Sequence, residues 1–215
     1  MGVPDLGRSV ELRYACSMRL LYRLARVPVP FALPTVFTTP RLTASRLRRL
    51  DTADIHTALA ESTAELTATC DWAYGSGSKK FSHQFVSTLL TQNNRSQRVD
   101  YVVRSTLDRV AVGMVALFQN HENPREWEIG FWRRSGCRGK GLMFEAASAL
   151  IPLVQPQLGA TRLLLTCHEK STHVIRIAHR LGFEQVGIIQ NDMDRHGQFR
   201  QILVFALKLN LVQSA

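Results

Sequence analysis

The chain has no tyrosine after Tyr101, no C-x-x-C pair and no internal repeat or low-complexity segment. It has no apolar run approaching the roughly 18 residues that a membrane-spanning helix needs. Cys16, Cys70, Cys137 and Cys167 stand far apart. That spacing argues against a zinc site and against a disulfide framework, so free thiols in a reducing, cytoplasmic setting and no metal are expected. A P-loop is absent too. Gly139-Lys140 has no glycine five residues before it and no Ser or Thr after the lysine. Gly136, Gly139 and Gly141 do not run in the G-x-G-x-x-G order of a dinucleotide fingerprint.

What is present is an ordinary globular composition, 45% hydrophobic over 215 residues, a length that favours one domain. The formal charge of +10 sits mostly at one end. Residues 1–49 carry nine arginines against Asp5 and Glu11, and the remaining 166 residues are nearly balanced. Residues 1–37 therefore read as a basic N-terminal extension. Arginines recurring among Leu, Tyr and Ala from Leu12 to Arg26 suggest a short amphipathic helix, which Pro28, Pro30 and Pro34 would break. Three readings of it stay open: a surface helix docked on the domain, a weak contact with an anionic membrane or RNA, or a start codon assigned too early.

From Thr39 the pattern is regular. Arg41 to Leu50 reads as a strand, and Asp51 as the N-cap of a helix reaching about Thr69. A second helix spans about Ser82 to Gln92, and three strands follow at Tyr101–Arg104, Val110–Phe118 and Trp127–Trp132. A helix begins after Gly141 and is expected to stop or kink at Pro152. Arg162–Cys167 reads as a buried strand, Val174–Leu181 as a helix closed by Gly182, and Val186–Ile189 and Gln201–Leu207 as final strands. The fold class expected is α/β (α+β): one domain over residues 38–210 with a mixed, mostly antiparallel sheet of about six or seven strands flanked by helices.

The informative stretch runs from Glu126 to Met143. A strand enters a basic Gly-rich turn that opens a helix at Leu142. Free N–H groups at a helix start suit a pyrophosphate, Gly139 and Gly141 allow its close approach, and Arg133, Arg134, Arg138 and Lys140 could add charge. A surface loop that is merely basic and Gly-rich has the same composition.

Arg138-Gly139-Lys140-Gly141-Leu142-Met143 resembles the Q/R-x-x-G-x-G/A motif by which GNAT-superfamily N-acetyltransferases hold acetyl-CoA. Glu128-Ile129-Gly130-Phe131-Trp132 is similar to the strand of the branch that acetylates ribosomal-protein N-termini, the RimJ/RimL type. Ser171 to Phe183 resembles that branch's N-x-x-S-x-R…L-G-F helix, Thr39-Pro40-Arg41-Leu42 its opening strand, and Asp71-Trp72-Ala73 its substrate-side loop. Together these cover about residues 38–208. Three departures stand out. Met143 replaces a small residue and is expected to crowd the helix start. Ser171 and Val174 stand where Asn and Ser are usual. The tyrosine general acid of many members is missing from its usual place.

The resemblance implies acetyl-CoA as cosubstrate and no metal. It implies a sheet splayed near the Glu128 strand, with cofactor contacts from Phe131, Trp132, Arg133, Arg138, Gly139, Lys140, Gly141, Leu142 and Met143. Glu128 would be the general base, with Glu126 on the same strand face in reserve. Ser171 would contact pantetheine or protonate the thiolate, although an N-cap role explains it more simply. Asp71 and Trp72 would meet the substrate. The expected partners are acetyl-CoA, a protein N-terminus or small amine, an anionic surface met by the extension, and a second copy in a homodimer. A catalytically weakened acyl-CoA-binding module is the alternative of a different class.

Overall fold

The computed structural model describes residues 33–93, 98–120, 122–193 and 197–209. The expected Leu12–Arg26 helix lies outside the described residues, as do Pro28 and Pro30. The elements are β1 (Val36–Thr38), β2 (Leu42–Arg46), α1 (Thr52–Thr67), α2 (Lys79–Asn93), β3 (Arg98–Ser105), β4 (Ala111–Gln119) and β5 (Glu126–Arg133). They continue with α3 (Leu142–Leu158), β6 (Arg162–His168), α4 (Thr172–Arg180), β7 (Glu184–Met193) and β8 (Phe199–Lys208).

The strands form one eight-stranded sheet in the order β1-β2-β3-β4-β5-β6-β8-β7. That exceeds the six or seven expected, because β1 is a three-residue strand whose exposed-intermediate-exposed pattern carries no core signal. Residues before Thr39 also join the domain: Leu33 is buried, and the Pro34 carbonyl accepts the Tyr101 hydroxyl at 2.7 Å. β2 is shorter than expected, because Arg49–Asp51 forms a 3₁₀ turn ahead of α1. Asp51 stands at the N-cap position but makes no side-chain cap bond there. Its carboxylate instead accepts the Arg48 N–H at 2.7 Å and pairs with Arg104 at 2.9 Å.

Alternation along the central strands divides the core. Val115, Leu117, Trp127, Ile129, Leu163 and Phe205 pack beneath α3 and α4 with Ala146, Leu150, Val154 and Ala178. Val102 and Met114 face the other way, onto Ile55, Leu59, Phe85, Val86 and Leu89 of α1 and α2. Each fully buried aliphatic side chain in these layers contributes about 1.5–3 kcal/mol.

α3 runs through Pro152 and Pro156 to Leu158, so of the stop or kink expected at Pro152 the stop does not occur. Both prolines lie on the exposed face, four residues apart. The carbonyls they leave without a helical donor can be hydrated there, while Leu150 and Val154 hold the buried face. α4 closes at Gly182, whose φ is +84°, as the sequence predicts.

All pairings are antiparallel except β5 with β6, the pair joined by the α3 crossover. That pairing has three rungs and ends at Glu128↔Leu164. On their outer sides both strands stay paired, β5 with β4 as far as Arg133↔Gly113 and β6 with β8 as far as His168↔Ile202. Two strands held on the outside and released on the inside form a V, with Glu128 at its apex and Ile129–Arg133 along one arm.

Candidate active site

The Glu128 side chain lies at the apex of the V, 6% exposed. Its Oε1 accepts the Thr166 hydroxyl from β6 at 2.5 Å, and its Oε2 is buried with no hydrogen-bond partner. Burial pushes the carboxyl up to about 7, against the pull of the Thr166 hydroxyl and backbone and of the more distant Arg98. A carboxyl that changes protonation near neutrality is suited to taking a proton from an amine. Glu126, two residues back, differs. It accepts from Arg162 Nη1 at 3.0 Å and from Asn120 Nδ2 at 3.1 Å, so both of its oxygens are engaged in structural bonds.

Beyond β5, a 3₁₀ turn at Ser135–Cys137 leads to the start of α3. Gly141 is the N-cap residue of α3, at φ +70°, where the left-handed backbone favours glycine. The helical ladder begins with Glu145 N–H donating to the Gly141 carbonyl, which leaves the preceding amides without helical acceptors. A Cβ built on Gly139 would meet nothing within 4 Å, so this backbone is open to a ligand. Met143 does not crowd the helix start as expected. Its side chain is buried in the α3 core and its N–H is left at the helix terminus.

The loop cations divide into two groups, which composition alone does not show. Arg133 pairs with Glu65 of α1, and Arg134 donates to Glu61 at 2.6 Å. Glu61 also accepts the Gly136 N–H at 2.7 Å, and Glu65 accepts the Ser135 hydroxyl at 2.8 Å. The side chains of Arg133 and Arg134 therefore dock the loop onto α1, contrary to the phosphate role expected of them. Arg138, 75% exposed and 3.5 Å from Glu65, and the exposed Lys140 remain on the open side. Sequence reasoning missed the clamp; its one visible signal was Glu61 and Glu65 at helical i, i+4 spacing.

Behind the helix start lies a groove of about 640 Å³ lined by Arg41, Lys140, Phe144, Ser148 and Arg180 among others. Arg180 of α4 lies over the Phe144 ring at 4.0 Å. Arg41 binds Glu145 and also donates to the Lys140 carbonyl at 2.9 Å. The Arg41 and Ser171 segments, remote in sequence, thus border one groove through Arg41 and Arg180.

On the α1–α2 side, Asp71 and Trp72 lie in a 3₁₀ turn at Asp71–Ala73. Asp71 pairs at 2.7 Å with Arg200 of β8, a buried arginine outside the sequence-level candidates. Trp72 stacks on Phe85 at 5.3 Å and faces Trp132 at 6.3 Å, which makes an aromatic wall beside the β5 arm. Trp132 thus belongs to this wall and to the α1–α2 core. The close strand crossing behind it requires Gly113, at φ +151°, where a Cβ would meet the Trp132 carbonyl at 2.1 Å. Phe131 packs on the opposite, α3 side. Ser171 is buried at the N-cap position of α4, yet its side chain makes no cap bond, so the simpler explanation offered for it does not hold.

The sheet thus opens between two parallel strands beside a Gly-rich helix N-terminus, with a buried carboxyl at the apex of the opening. Residues 41–184 match the acetyltransferase (GNAT) domain, and the chain belongs to that family. It is accordingly an N-acetyltransferase with acetyl-CoA as cosubstrate. The fold is similar to that of RimL, a ribosomal L7/L12 alpha-N-protein acetyltransferase in complex with coenzyme A, with TM-score 0.74 and 16% identity over 81% of this chain and 98% of that one. It is also similar to the microcin C7 self-immunity acetyltransferase MccE in complex with acetyl-CoA and AMP, with TM-score 0.73 and 15% identity over 80% and 94%. The ribosomal-protein-S5-alanine acetyltransferase from Vibrio fischeri matches with TM-score 0.72 and 13% identity over 84% and 100%. No curated protein matches the sequence. The residues present fit acetyl-CoA: open amides at the start of α3, the exposed cations Arg138 and Lys140, and the V leading to Glu128.

Proposed function

We propose that the protein acetylates a primary amine, the α-amine of a protein or peptide N-terminus, by direct attack within a ternary complex with Glu128 as general base. The observation that carries this reading is Glu128 Oε2 at the apex of the V, a buried carboxylate oxygen with no hydrogen-bond partner among the described residues. When bound, acetyl-CoA supplies an activated thioester carbonyl. The amides of Gly139, Gly141, Leu142 and Met143 hold its pyrophosphate, helped by Arg138 and Lys140. The backbone of Phe131, Trp132 and Arg133 receives the pantetheine arm, and an N–H near Phe131 meets the developing oxyanion. Glu128 would take the amine proton as the C–N bond forms, and the departing thiolate would receive a proton through Ser171, which would regain one from solvent, as the C–S bond breaks.

The acceptor side narrows the amine. Glu61, Glu65 and Asp71 are the carboxylates that could have drawn a polycation, and each is neutralised by an arginine. The aromatic pair Trp72 and Trp132 stands beside the β5 arm instead, which suits a single α-amine on a peptide. RimL and the S5-alanine enzyme are named for such acceptors. MccE, named for self-immunity to microcin, keeps a small amine as the competing acceptor. Among the described residues no helix is long and apolar enough to cross a membrane. A cytoplasmic location, a homodimer and a weak anionic-surface contact of the extension complete the proposal.

The test is acetyl-CoA calorimetry followed by thiol release with pooled peptides and small amines, on the wild type and Glu128→Gln. Turnover on peptides, falling about 10²-fold in Glu128→Gln with unchanged acetyl-CoA affinity, is expected. Turnover confined to small amines would replace the acceptor, and full turnover in Glu128→Gln would remove the base.

A further inference from the structure

Glu128 is the last β5 residue with a partner on β6, and that partner is Leu164. Thr166 lies two residues further along β6, on the same face by strand alternation, where the backbones have begun to part. At this point a side-chain bond spans the gap, from the Thr166 hydroxyl to Glu128 Oε1 at 2.5 Å. A β-branched side chain has few χ1 states and holds its donor in place more firmly than a flexible one would. A hydroxyl bound to an ionised carboxylate is also among the stronger and shorter hydrogen bonds.

The charged groups on the neighbouring strands are engaged elsewhere. Arg98 on β3 forms a fork with Asp100 at 2.7 and 2.8 Å and lies over the Phe118 ring of β4. Glu126 on β5 is held by Arg162 of β6. Among the described residues, Thr166 makes the direct hydrogen bond that orients the Glu128 carboxyl. It engages one oxygen and leaves the other, Oε2, buried with an open acceptor site. An unsatisfied buried acceptor destabilises the fold, a cost that is offset where a substrate group fills the site.

We propose that Thr166 is a positioning residue for acetyl transfer: by binding Oε1 it fixes the Glu128 carboxyl so that Oε2 receives the amine proton. The proposal rests on the reading of Glu128 as base. In the step itself, the amine N–H bond breaks toward Oε2 while nitrogen bonds to the thioester carbon, and Thr166 keeps its own proton.

The test follows the carboxyl directly. Infrared difference titration of the protonated-carboxyl band, with Glu128→Gln as the blank that assigns it, is carried out on the wild type, Thr166→Val and Thr166→Ser. The valine variant is expected to raise the midpoint by about one pH unit, because a donor to the charged form is lost. The acid limb of kcat/KM should move with it, turnover at pH 7 should fall about fivefold, and acetyl-CoA affinity should be unchanged. Serine is expected to restore the wild-type midpoint. If valine does not fold, Thr166→Cys carries the same titration with a weaker donor. A valine variant that titrates like the wild type overturns the proposal, as does a serine variant that titrates like valine. Full turnover in Glu128→Gln overturns the base and this proposal together. An inactive Glu128→Gln with an unmoved valine midpoint overturns Thr166 alone.

Discussion

Arg41 and Glu145 stand 104 positions apart and close the base of the cofactor loop: the guanidinium meets Oε2 at 2.5 Å, and the Arg41 backbone N–H donates to Oε1 at 3.1 Å. Thr39 donates its hydroxyl to the same carboxylate at 2.5 Å. Burial alone would push the Glu145 carboxyl up, but the Thr39 and Arg41 donors outweigh it and hold it below the usual carboxylate range. Because Arg41 also donates to the Lys140 carbonyl, the edge of the sheet sets the height of the Gly139–Gly141 turn.

Arg41→Met should therefore weaken acetyl-CoA binding by about tenfold, since two charge-assisted bonds positioning the turn are lost. The thermal midpoint should fall by only a few degrees, the pair being half-exposed. Calorimetry and thermal melts of the variant check this, and unchanged affinity would show that the turn holds its shape unaided.

Glu128 has a measurable cost to stability. Its folded value of about 7 lies above the ordinary 4.5. Its contribution is therefore fully present below about pH 4.5 and is lost as the pH rises through 7. Above that, the native state carries a buried carboxylate. Glu128→Gln should be more stable than the wild type at pH 8 by about 3 kcal/mol, or roughly 10 °C, with little difference at pH 4. Equal shifts at both pH values would contradict it.

The α1 clamp works in the opposite sense. The Arg134 guanidinium and the Gly136 N–H hold Glu61 below its usual range. For Glu65, burial is outweighed by the Ser135 hydroxyl and by Arg133 and Arg138. Both carboxyls stabilise the fold above their unfolded values, and that stability is lost as the pH falls through their depressed ones. Glu61→Gln with Glu65→Gln should flatten the loss of stability below about pH 5. The Gly136 amide, which donates to Glu61, should then exchange faster with solvent. A Gly136 exchange rate unchanged from the wild type would count against the clamp.

Trp72→Ala should raise the KM of the acceptor several-fold and leave acetyl-CoA affinity nearly unaltered, because the ring contacts of Trp72 are with Phe85 and the Trp132 side chain, away from the Gly139–Gly141 turn proposed to hold the pyrophosphate. Steady-state kinetics varying each substrate in turn distinguishes the two, and a change confined to acetyl-CoA would move Trp72 out of the acceptor wall.

Much of the site was legible because its rules are local. From Glu126 to Met143 the strand, the turn and the helix start follow from period-two alternation, glycine and the apolar spacing after Leu142, all within 18 residues of one another. The glycine stop at Gly182 and the buried β6 run are of the same kind. Pro152 misled because proline's local preference is to end a helix. Here both prolines face solvent and the buried side of α3 carries the helix past them.

By itself the sequence determined the order of elements, the open helix terminus at Gly141 and the pairing of Glu126 and Glu128 on one face, all set by dihedral preference and side-chain period. Only the tertiary structure decided which of those glutamates is tied to an arginine and which is buried with a free oxygen. It also decided that Arg133 and Arg134 bind α1 while Arg138 and Lys140 stay open. Those outcomes depend on Arg162, Thr166, Glu61 and Glu65, which reach the site from other strands and from a helix some 70 positions away. Charge and hydrogen bonding act through space, so residue type alone could not assign them.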